Sequence, residues 1–293
     1  MNVAVLVQQL INGLAMGCIY SLVALGYTFI WNAVGIVNLA QGDFVTMAAF
    51  LYAATLSNKL GFGFGLSLLG VAAFMSVFGM GAERVVYSPL KDAHPRAVML
   101  STMALGIFLS NLYIIVWGPY PVTTAGPFGQ GVIHFGEVSI LKQNLFVIVI
   151  TGILLILQWL FFRRTTLGKT MRAVAQDREA ATLMGIETHR TIAITFANSS
   201  ILAGIAGILL APLFMVSVDL GMVGSKGFAS CVIGGFGSII GATVGGILLG
   251  TIEIFVASFL SSRYKDAIVF LILIFFLLVR PQGILGKKAG ESL

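Results

Sequence analysis

The sequence QNLFVIVITGILLILQWLFF, residues 143–162, decides the fold class of this protein, because none of its twenty side chains is charged. Arg163 and Arg164 follow it directly. About 20 apolar residues in a helix span the roughly 30 Å hydrocarbon core of a bilayer, and basic residues favour the cytoplasmic side. The stretch therefore predicts a transmembrane helix. Four other stretches are equally free of charged side chains: 1–31, 60–82, 97–136 and 191–218.

The composition of the whole chain supports the same conclusion. Hydrophobic residues make up 58% of the 293 residues and charged residues 10%, whereas soluble domains have about 25% charged residues. Such a chain cannot cover a globule with hydrophilic side chains, which excludes cytosolic enzymes, nucleic-acid-binding proteins and secreted disulfide scaffolds. The net charge of +6 does not indicate a nucleic-acid partner, because the basic residues flank apolar runs instead of forming one stripe.

We predict an all-α fold, a polytopic bundle of transmembrane helices in one domain, residues 1–293. About eight spans are expected, together with a shorter, glycine-rich and broken membrane segment near 227–239. Cys18 and Cys231 lie far apart within apolar stretches and are predicted to be buried free thiols. The spans are placed near 7–31, 38–57, 63–82, 97–117, 142–162, 191–215, 240–260 and 266–281.

The distribution of Lys and Arg predicts the orientation in the membrane. Twelve of the 17 basic residues fall in three segments, 83–96, 163–190 and the tail from 280. All twelve lie inside only if the N-terminus is outside, the C-terminus is inside and the segment near 227–239 crosses fully. A re-entrant segment there would instead place the tail outside. The loop 118–142, rich in Pro and Gly, is predicted to be a non-helical cap on the outer face, either a filler or a docking surface.

Glycines spaced by four residues predict close helix packing. Gly13, Gly17 and Ser21 share one helix face, as do Gly246 and Gly250, and small residues let helix backbones approach where lipid provides no hydrophobic drive. A second interpretation applies to Gly234, Gly235 and Gly237. These three glycines would interrupt a helix deep in the membrane, where a broken helix must be buried in protein or line a water-filled cavity.

Few ionisable residues lie within the predicted spans. Asp43 follows Asn38 and Gln41, and Glu253 lies in an apolar run; intramembrane acids are functional candidates by default. Asp43 could instead cap a helix near the cytoplasmic interface, and Glu253 could make an interface or subunit contact. Two acids without a nearby basic partner make a poor ion relay, and the sequence contains no metal-ligand cluster and no nucleophile–base pattern. A membrane enzyme is therefore disfavoured.

The loop 163–190 is predicted to contain two short helices. Thr165 or Thr166 can cap the first, over about 167–176, and Asp177 can cap the second, which ends at Gly185. A short, rigid helix with small alanines suits insertion into a groove of another protein. An amphipathic linker lying on the bilayer is the alternative.

The spacing of Glu179-Ala180-Ala181 and Gly185 resembles the Glu-Ala-Ala loop of bacterial ABC importer permeases, which docks on the ATP-binding subunit. The whole chain resembles a narrower family, the branched-chain (hydrophobic) amino acid permeases. Two departures occur, Gln41 in place of an expected histidine and Asp43 in place of an expected glutamate. The stretches that carry the resemblance are 12–14, 19–26, 35–44, 167–169, 172–177, 180–186 and 280–286.

This resemblance implies the ABC importer permease fold, the bacterial inner membrane and import of branched-chain amino acids by alternating access. It implies several partners: two cytosolic ATP-binding subunits, a homologous second permease or a second copy, a periplasmic substrate-binding protein and the lipid bilayer, with no nucleic acid. No cofactor or metal is expected on this chain, because ATP and Mg²⁺ would be bound by the partner ATPases. The sequence agrees with that division, since no Gly-x4-Gly-Lys-Ser/Thr motif occurs in it.

The resemblance also implies roles for individual residues. Those expected to dock on the ATPase subunit are Arg172, Gln176, Asp177, Glu179, Ala180, Ala181, Met184 and Gly185. Those expected to line the pathway are Asn38, Gln41, Asp43, Gly234, Gly235 and Gly237. Two other functions remain open: a permease of the same family for urea, amides or another small solute, and an ion-coupled secondary amino acid carrier.

Overall fold

The computed structural model describes residues 3–91, 93–129, 131–135 and 138–286, and these are overwhelmingly helical. Residues 287–293, with the predicted inner Lys287 and Lys288, lie outside the described part. The first helices are α1 (Val3–Val34), α2 (Gln41–Phe50, continued by a π-helix Leu51–Ser57), α3 (Phe64–Ala82) and α4 (Pro95–Trp117). A hairpin of β1 (Val132–Phe135) and β2 (Val138–Leu141) precedes α5 (Lys142–Arg164), α6 (Thr166–Gln176) and α7 (Arg178–Leu183). The last helices are α8 (Thr188–Leu210), α9 (Met222–Gly234), α10 (Ile239–Phe259) and α11 (Lys265–Val279).

Helix α1 is the centre of the bundle. Every residue from 15 to 30 in it is buried, mainly against α8, α9 and α10. Helices α3, α4, α5 and α11 form the periphery and expose large apolar side chains, such as Val77, Ile115 and Leu278. Apolar side chains on the outside are the expected arrangement for helices that face lipid. The all-α, polytopic fold class predicted from the sequence is therefore confirmed, with one small hairpin as its only strands among the described residues.

Residues 118–141 close one end of the bundle, called here the hairpin end. Val122 pairs with Val216, and Trp117 Nε1 donates a hydrogen bond of 2.9 Å to Thr55 Oγ1. The strands β1 and β2 pair in antiparallel fashion, with Val132 opposite Leu141. The prediction of a non-helical cap over 118–142 is confirmed for the described residues of that loop.

The opposite end, called here the loop end, gathers α6, α7, the end of α1 and the tail 280–286. Asn32 Nδ2 donates a bond of 3.1 Å to the Gly237 carbonyl, and the tail amides of Ile284 and Leu285 bond to the carbonyls of Ile233 and Gly234. The tail and the loop 163–190 therefore lie at the same end. This agrees with the version of the topology in which the segment near 227–239 crosses.

Six helices of the described chain are long and apolar enough to cross a membrane: Val3–Val34, Phe64–Leu90, Pro95–Trp117, Lys142–Arg164, Thr188–Leu210 and Ile239–Phe259. The predicted spans 38–57 and 266–281 correspond to α2 with its π-helix and to α11, which are shorter. The span placed near 191–215 ends earlier, at Leu210, and the short segment placed near 227–239 is α9, which begins and ends about five residues earlier.

The predicted glycine packing joins α1 to α10. A methyl group added to Gly250 would collide with the backbone of Gly17, and one added to Gly246 would collide with that of Ser21. Ser21 Oγ also donates to the carbonyl of Thr243 at 2.8 Å. These two helices thus touch backbone to backbone, as the four-residue spacing predicts.

The helix break predicted at Gly234, Gly235 and Gly237 is present, but it lies at one end of the bundle and not deep in the membrane as predicted. Gly235 and Gly237 adopt φ of +111° and +82° between α9 and α10, at the loop end and against the tail. Irregular backbone lies deeper in two other places, 35–40 and 211–221. They meet where Gly42 packs on Gly221 and Gly224.

Helix α9 crosses only part of the membrane. Its 13 residues span about 20 Å, less than the roughly 30 Å of hydrocarbon. The irregular segment 211–221 covers the remainder, and such backbone is tolerated at this depth only where protein or a water-filled cavity surrounds it. This crossing is therefore discontinuous.

Substituting Gly250 by Ala tests the contact between α1 and α10. The added methyl group has no space against Gly17, and overpacking typically destabilises a core by about 1–3 kcal/mol. We expect a lower melting temperature in detergent. Gly152→Ala is the matched control, because the space around Gly152 in α5 is open; a variant pair with equal melting temperatures would contradict the backbone contact.

Candidate coupling loop and membrane pathway

Helix α6 begins and packs as the sequence predicts. The hydroxyl of Thr165 accepts a hydrogen bond from the amide of Gly168 at 3.0 Å, which makes Thr165 the N-cap. Met171 and Val174 are buried, whereas Arg172 is exposed. The helix thus lies with its apolar face on the bundle.

Helix α7 has the predicted caps. The Asp177 carboxylate accepts a bond of 2.9 Å from the amide of Ala180, and Gly185 adopts φ of +83° just after the helix. The amides of Gly185 and Ile186 bond to the carbonyls of Thr182 and Ala181 at 3.0 Å each. This left-handed C-terminal turn favours glycine, so both ends of the six-residue helix are fixed by local chemistry.

The predicted docking residues do not all face outward. Ala181 is only 4% exposed and packs in a cluster of the chain's own apolar residues that includes Ile30 and Ile192. Its expected place on the docking surface is wrong, because this side chain anchors α7 to the bundle. The other seven, which stay predictions for docking, are exposed: Arg172, Gln176, Asp177, Glu179, Ala180, Met184 and Gly185.

Sequence analysis missed Leu183. Leu183 and Met184 are 89% and 83% exposed at the tip of α7, the most exposed pair of large apolar side chains in the described part of this loop. A helix of six residues is too short for its hydrophobic spacing to show which face is buried. The buried Ala181 was the missing information, because it directs Leu183 and Met184 away from the bundle.

A groove of about 760 Å³ lies beside this loop. Arg172 and Gln176 line it from α6, and Gly237 and Leu285 line it from the glycine turn and the tail. The structure therefore brings two predicted docking residues next to one predicted pathway residue.

Asn38 and Gln41 are buried near the middle of the bundle. The side-chain amide nitrogen of Gln41 donates to the Ser199 carbonyl at 3.3 Å, and Asn38 donates to the Gln41 oxygen at 3.4 Å. Ser199 Oγ in turn bonds to the Gly26 carbonyl at 2.9 Å. Gly26 is eight residues before the end of α1, about 12 Å along the helix axis, so these side chains tie α1, α2 and α8 together inside the bundle.

Asp43 is not the helix cap that sequence analysis offered as an alternative. Ala40 holds the N-cap position of α2, and the Asp43 carboxylate instead accepts a bond of 3.0 Å from Ser110 Oγ on α4. Tyr113 OH donates to the Asp43 carbonyl at 2.6 Å. Within the described residues the Asp43 carboxylate has no cation within 4.0 Å.

Glycine residues lie next to the Asp43 side chain. A methyl group placed on Gly221 would come within 3.7 Å of Asp43 Oδ1. Gly42, Gly221 and Gly224 border a cavity of about 260 Å³ that Tyr27 and Phe270 also line. The half-buried, unpaired carboxylate thus lies where the two irregular segments meet.

Glu253 has a basic partner that sequence analysis did not find. Lys226 Nζ lies 2.6 Å from Glu253 Oε1 and 2.7 Å from Asp266 Oδ1, and Tyr20 OH donates to Glu253 Oε2 at 2.6 Å. Lys265 lies 3.8 Å from the same Glu253 oxygen. Glu253 is 3% exposed, so the suggested subunit contact is wrong. Lys226 precedes Glu253 by 27 residues, and no sequence pattern predicts that they meet.

These features define a polytopic membrane permease with a capped loop helix at one end. A family model described as the permease component of branched-chain amino acid transport systems matches residues 9–277. The high-affinity branched-chain amino acid transport system permease proteins LivH of Salmonella typhimurium (strain LT2) and Escherichia coli (strain K12) are each 33% identical over 298 residues, 97% of both chains. The corresponding protein BraD of Pseudomonas aeruginosa is 34% identical over 299 residues, also 97% of both chains. No solved structure matches the chain. The chain therefore belongs to the branched-chain amino acid transport permease family.

The cap of α7 is testable by hydrogen exchange. Replacing an N-cap aspartate by alanine costs about 1 kcal/mol, so Asp177→Ala should speed amide exchange over 180–184 roughly fivefold. Glu187→Ala is the matched control, because it removes an exposed acid at the N-cap position of α8 whose side chain makes no capping hydrogen bond. Equal protection in the two variants would show that the Asp177 bond does not hold the helix.

Proposed function

We propose that this protein is the transmembrane permease subunit of a binding-protein-dependent ABC importer for branched-chain amino acids. The family supports this function, because its relatives are named as branched-chain amino acid transport permeases. The observation that carries the mechanism is helix α7, a capped helix with two exposed apolar side chains at its tip. That surface suits insertion into a groove of an ATP-binding subunit, the role that the resemblance to Glu-Ala-Ala loops implies.

The proposed orientation places the loop end in the cytosol. The protein is a multi-pass inner-membrane protein, and the loop 163–190 holds six basic residues, which favour the cytoplasmic face. The start of α1 would then be periplasmic, and the tail would be cytoplasmic, since residues 280–286 lie at the loop end. The hairpin end would meet the substrate-binding protein.

The contacts of α7 with the bundle would transmit a displacement of α7 to other helices. Ala181 belongs to a buried apolar cluster that also contains Ile30 of α1 and Ile192 of α8, and Arg178 donates to Tyr87 OH, beyond α3, at 3.4 Å. A shift of α7 imposed by ATP-driven closure would therefore move three helices together. If closure of the ATPase subunits favours one arrangement of the helices, then by linkage that arrangement must also favour closure.

The proposed pathway runs past the meeting point of the irregular segments. Asp43 is the pathway candidate that the surroundings support best, while Asn38 and Gln41 hold its walls. Gly234, Gly235 and Gly237 lie at the loop end, where they would border the cytoplasmic exit.

Reconstitution with purified partners tests this function. We expect the permease, a second permease subunit, ATPase subunits and binding protein to accumulate branched-chain amino acids in vesicles with ATP when ion gradients are collapsed. Uptake that needs an ion gradient and no ATP would identify a secondary carrier. Competition by urea or amides, and none by branched-chain amino acids, would identify the other solute class.

The docking surface is testable by co-purification. Changing Leu183 and Met184 to Asp should abolish recovery of ATPase subunits with the permease and uncouple ATP hydrolysis from uptake, because both side chains would lie in the partner's groove. Glu179→Gln alone, a milder change at the same surface, should weaken the coupling of ATP hydrolysis to uptake. For recovery of the ATPase subunits, Tyr120→Asp is the matched control, since Tyr120 is 81% exposed at the opposite, hairpin end. Normal complexes from the doubly substituted protein would disprove the docking assignment.

A further inference from the structure

Three helices meet at Lys226. Lys226 belongs to α9, Glu253 to α10 and Asp266 to α11, and the two carboxylates lie 2.6 and 2.7 Å from Lys226 Nζ. Glu253 and Tyr20 are each 14 residues, about 21 Å, from the loop-end terminus of their helix. With Lys265 the cluster has two cations and two anions, so it is balanced in charge.

We propose that Lys226 is a positioning residue for transport. Its two ion pairs hold α9, the partial helix of the discontinuous crossing, in the register that sets the glycine contact beside Asp43. This inference rests on the proposed function and adds a residue that neither the resemblance nor the family description assigns.

Burial indicates that the cluster serves more than stability. Lys226 and Glu253 side chains are 8% and 3% exposed, and removing such charges from water offsets much of their attraction. Apolar residues of similar volume could fill the same space at no loss of stability. Buried polar residues are best attested as groups that fix one register of packed helices among several. We apply this explanation to the ion pairs of Lys226.

The ion pairs of Lys226 act on the sides of α9 that face α10 and α11. Toward α1 and α2, Gly224 lies against Gly42, the Val23 side chain fills the space at Gly227, and Phe228 packs edge to face on Tyr27. Lys226 lies between the two glycines, donates a hydrogen bond to Glu253 on α10 and forms an ion pair with Asp266 on α11. A change in those bonds would slide or rotate Gly221 and Gly224 relative to Gly42, and with them the wall next to Asp43.

A neutral double variant separates positioning from stability. Lys226→Met alone leaves Glu253 and Asp266 with one cation, and we expect poor recovery of the protein. Lys226→Met with Glu253→Gln keeps an acceptor for Tyr20 and removes one cation and one anion, so the cluster stays balanced in charge. This double variant should be purified with its partner subunits at normal yield and melting temperature, yet import branched-chain amino acids at least tenfold more slowly.

Labelling of a residue in the pathway separates a positioning role from a structural one. A purely structural role of Lys226 would leave the response of this labelling to ATP unchanged. Ser225 is exposed in the cavity beside Gly224, and Cys18 and Cys231 are buried. Labelling of Ser225→Cys by a maleimide should change when ATP binds in the otherwise native complex. In the double variant the labelling should no longer respond to ATP. Lys265→Gln, which leaves both bonds of Lys226 in place, should keep the response and import within twofold of the native rate.

Each outcome bears on the inference separately from the proposed function. A double variant that imports normally, or that cannot be purified, overturns the positioning role, because the cluster is then dispensable or a stabilising element. A native complex that neither hydrolyses ATP nor imports would refute the proposed function itself.

Discussion

The backbone contact between α1 and α10 is the constraint on which the rest of the structure depends. Lipid provides no hydrophobic drive for helix association, so helices in a membrane adhere through close packing and buried polar bonds. Gly17 and Gly250 bring the two backbones together, and Ser21 adds a hydrogen bond to α10. Because α1 is then enclosed by other helices along most of its length, the peripheral helices are left to face lipid.

The same close packing permits an irregular interior. Segments 35–40 and 211–221 leave backbone polar groups inside the membrane, which is tolerated only under protein cover. Glycine at positions 42, 221 and 224 lets those segments touch, and the ion pairs of Lys226 then fix the partial helix that follows. Irregular backbone and the bonds of Lys226 thus lie close together, next to an acid without a counter-charge among the described residues.

The loop helix joins this interior to the loop end of the bundle. Its caps, Asp177 and Gly185, are supplied by its own sequence, and its position is set by one buried alanine. A small rigid element that is anchored on one face and apolar at its exposed tip can transmit a displacement without unfolding. Its link to α1, α3 and α8 explains how an event outside the membrane could reach the level of Asp43.

The sequence by itself determined the membrane fold, the order of the helices, the glycine faces of α1 and α10 and both caps of α7, because each depends on residues close together in the chain. Tertiary structure alone decided that Ala181 faces inward, that the glycine turn lies at the loop end, that Asp43 bonds to Ser110 and that Lys226 meets Glu253 and Asp266. Those outcomes depend on how helices distant in sequence rotate and slide against one another. Hydrophobic patterns do not fix that rotation in a chain whose helices are apolar on nearly every side.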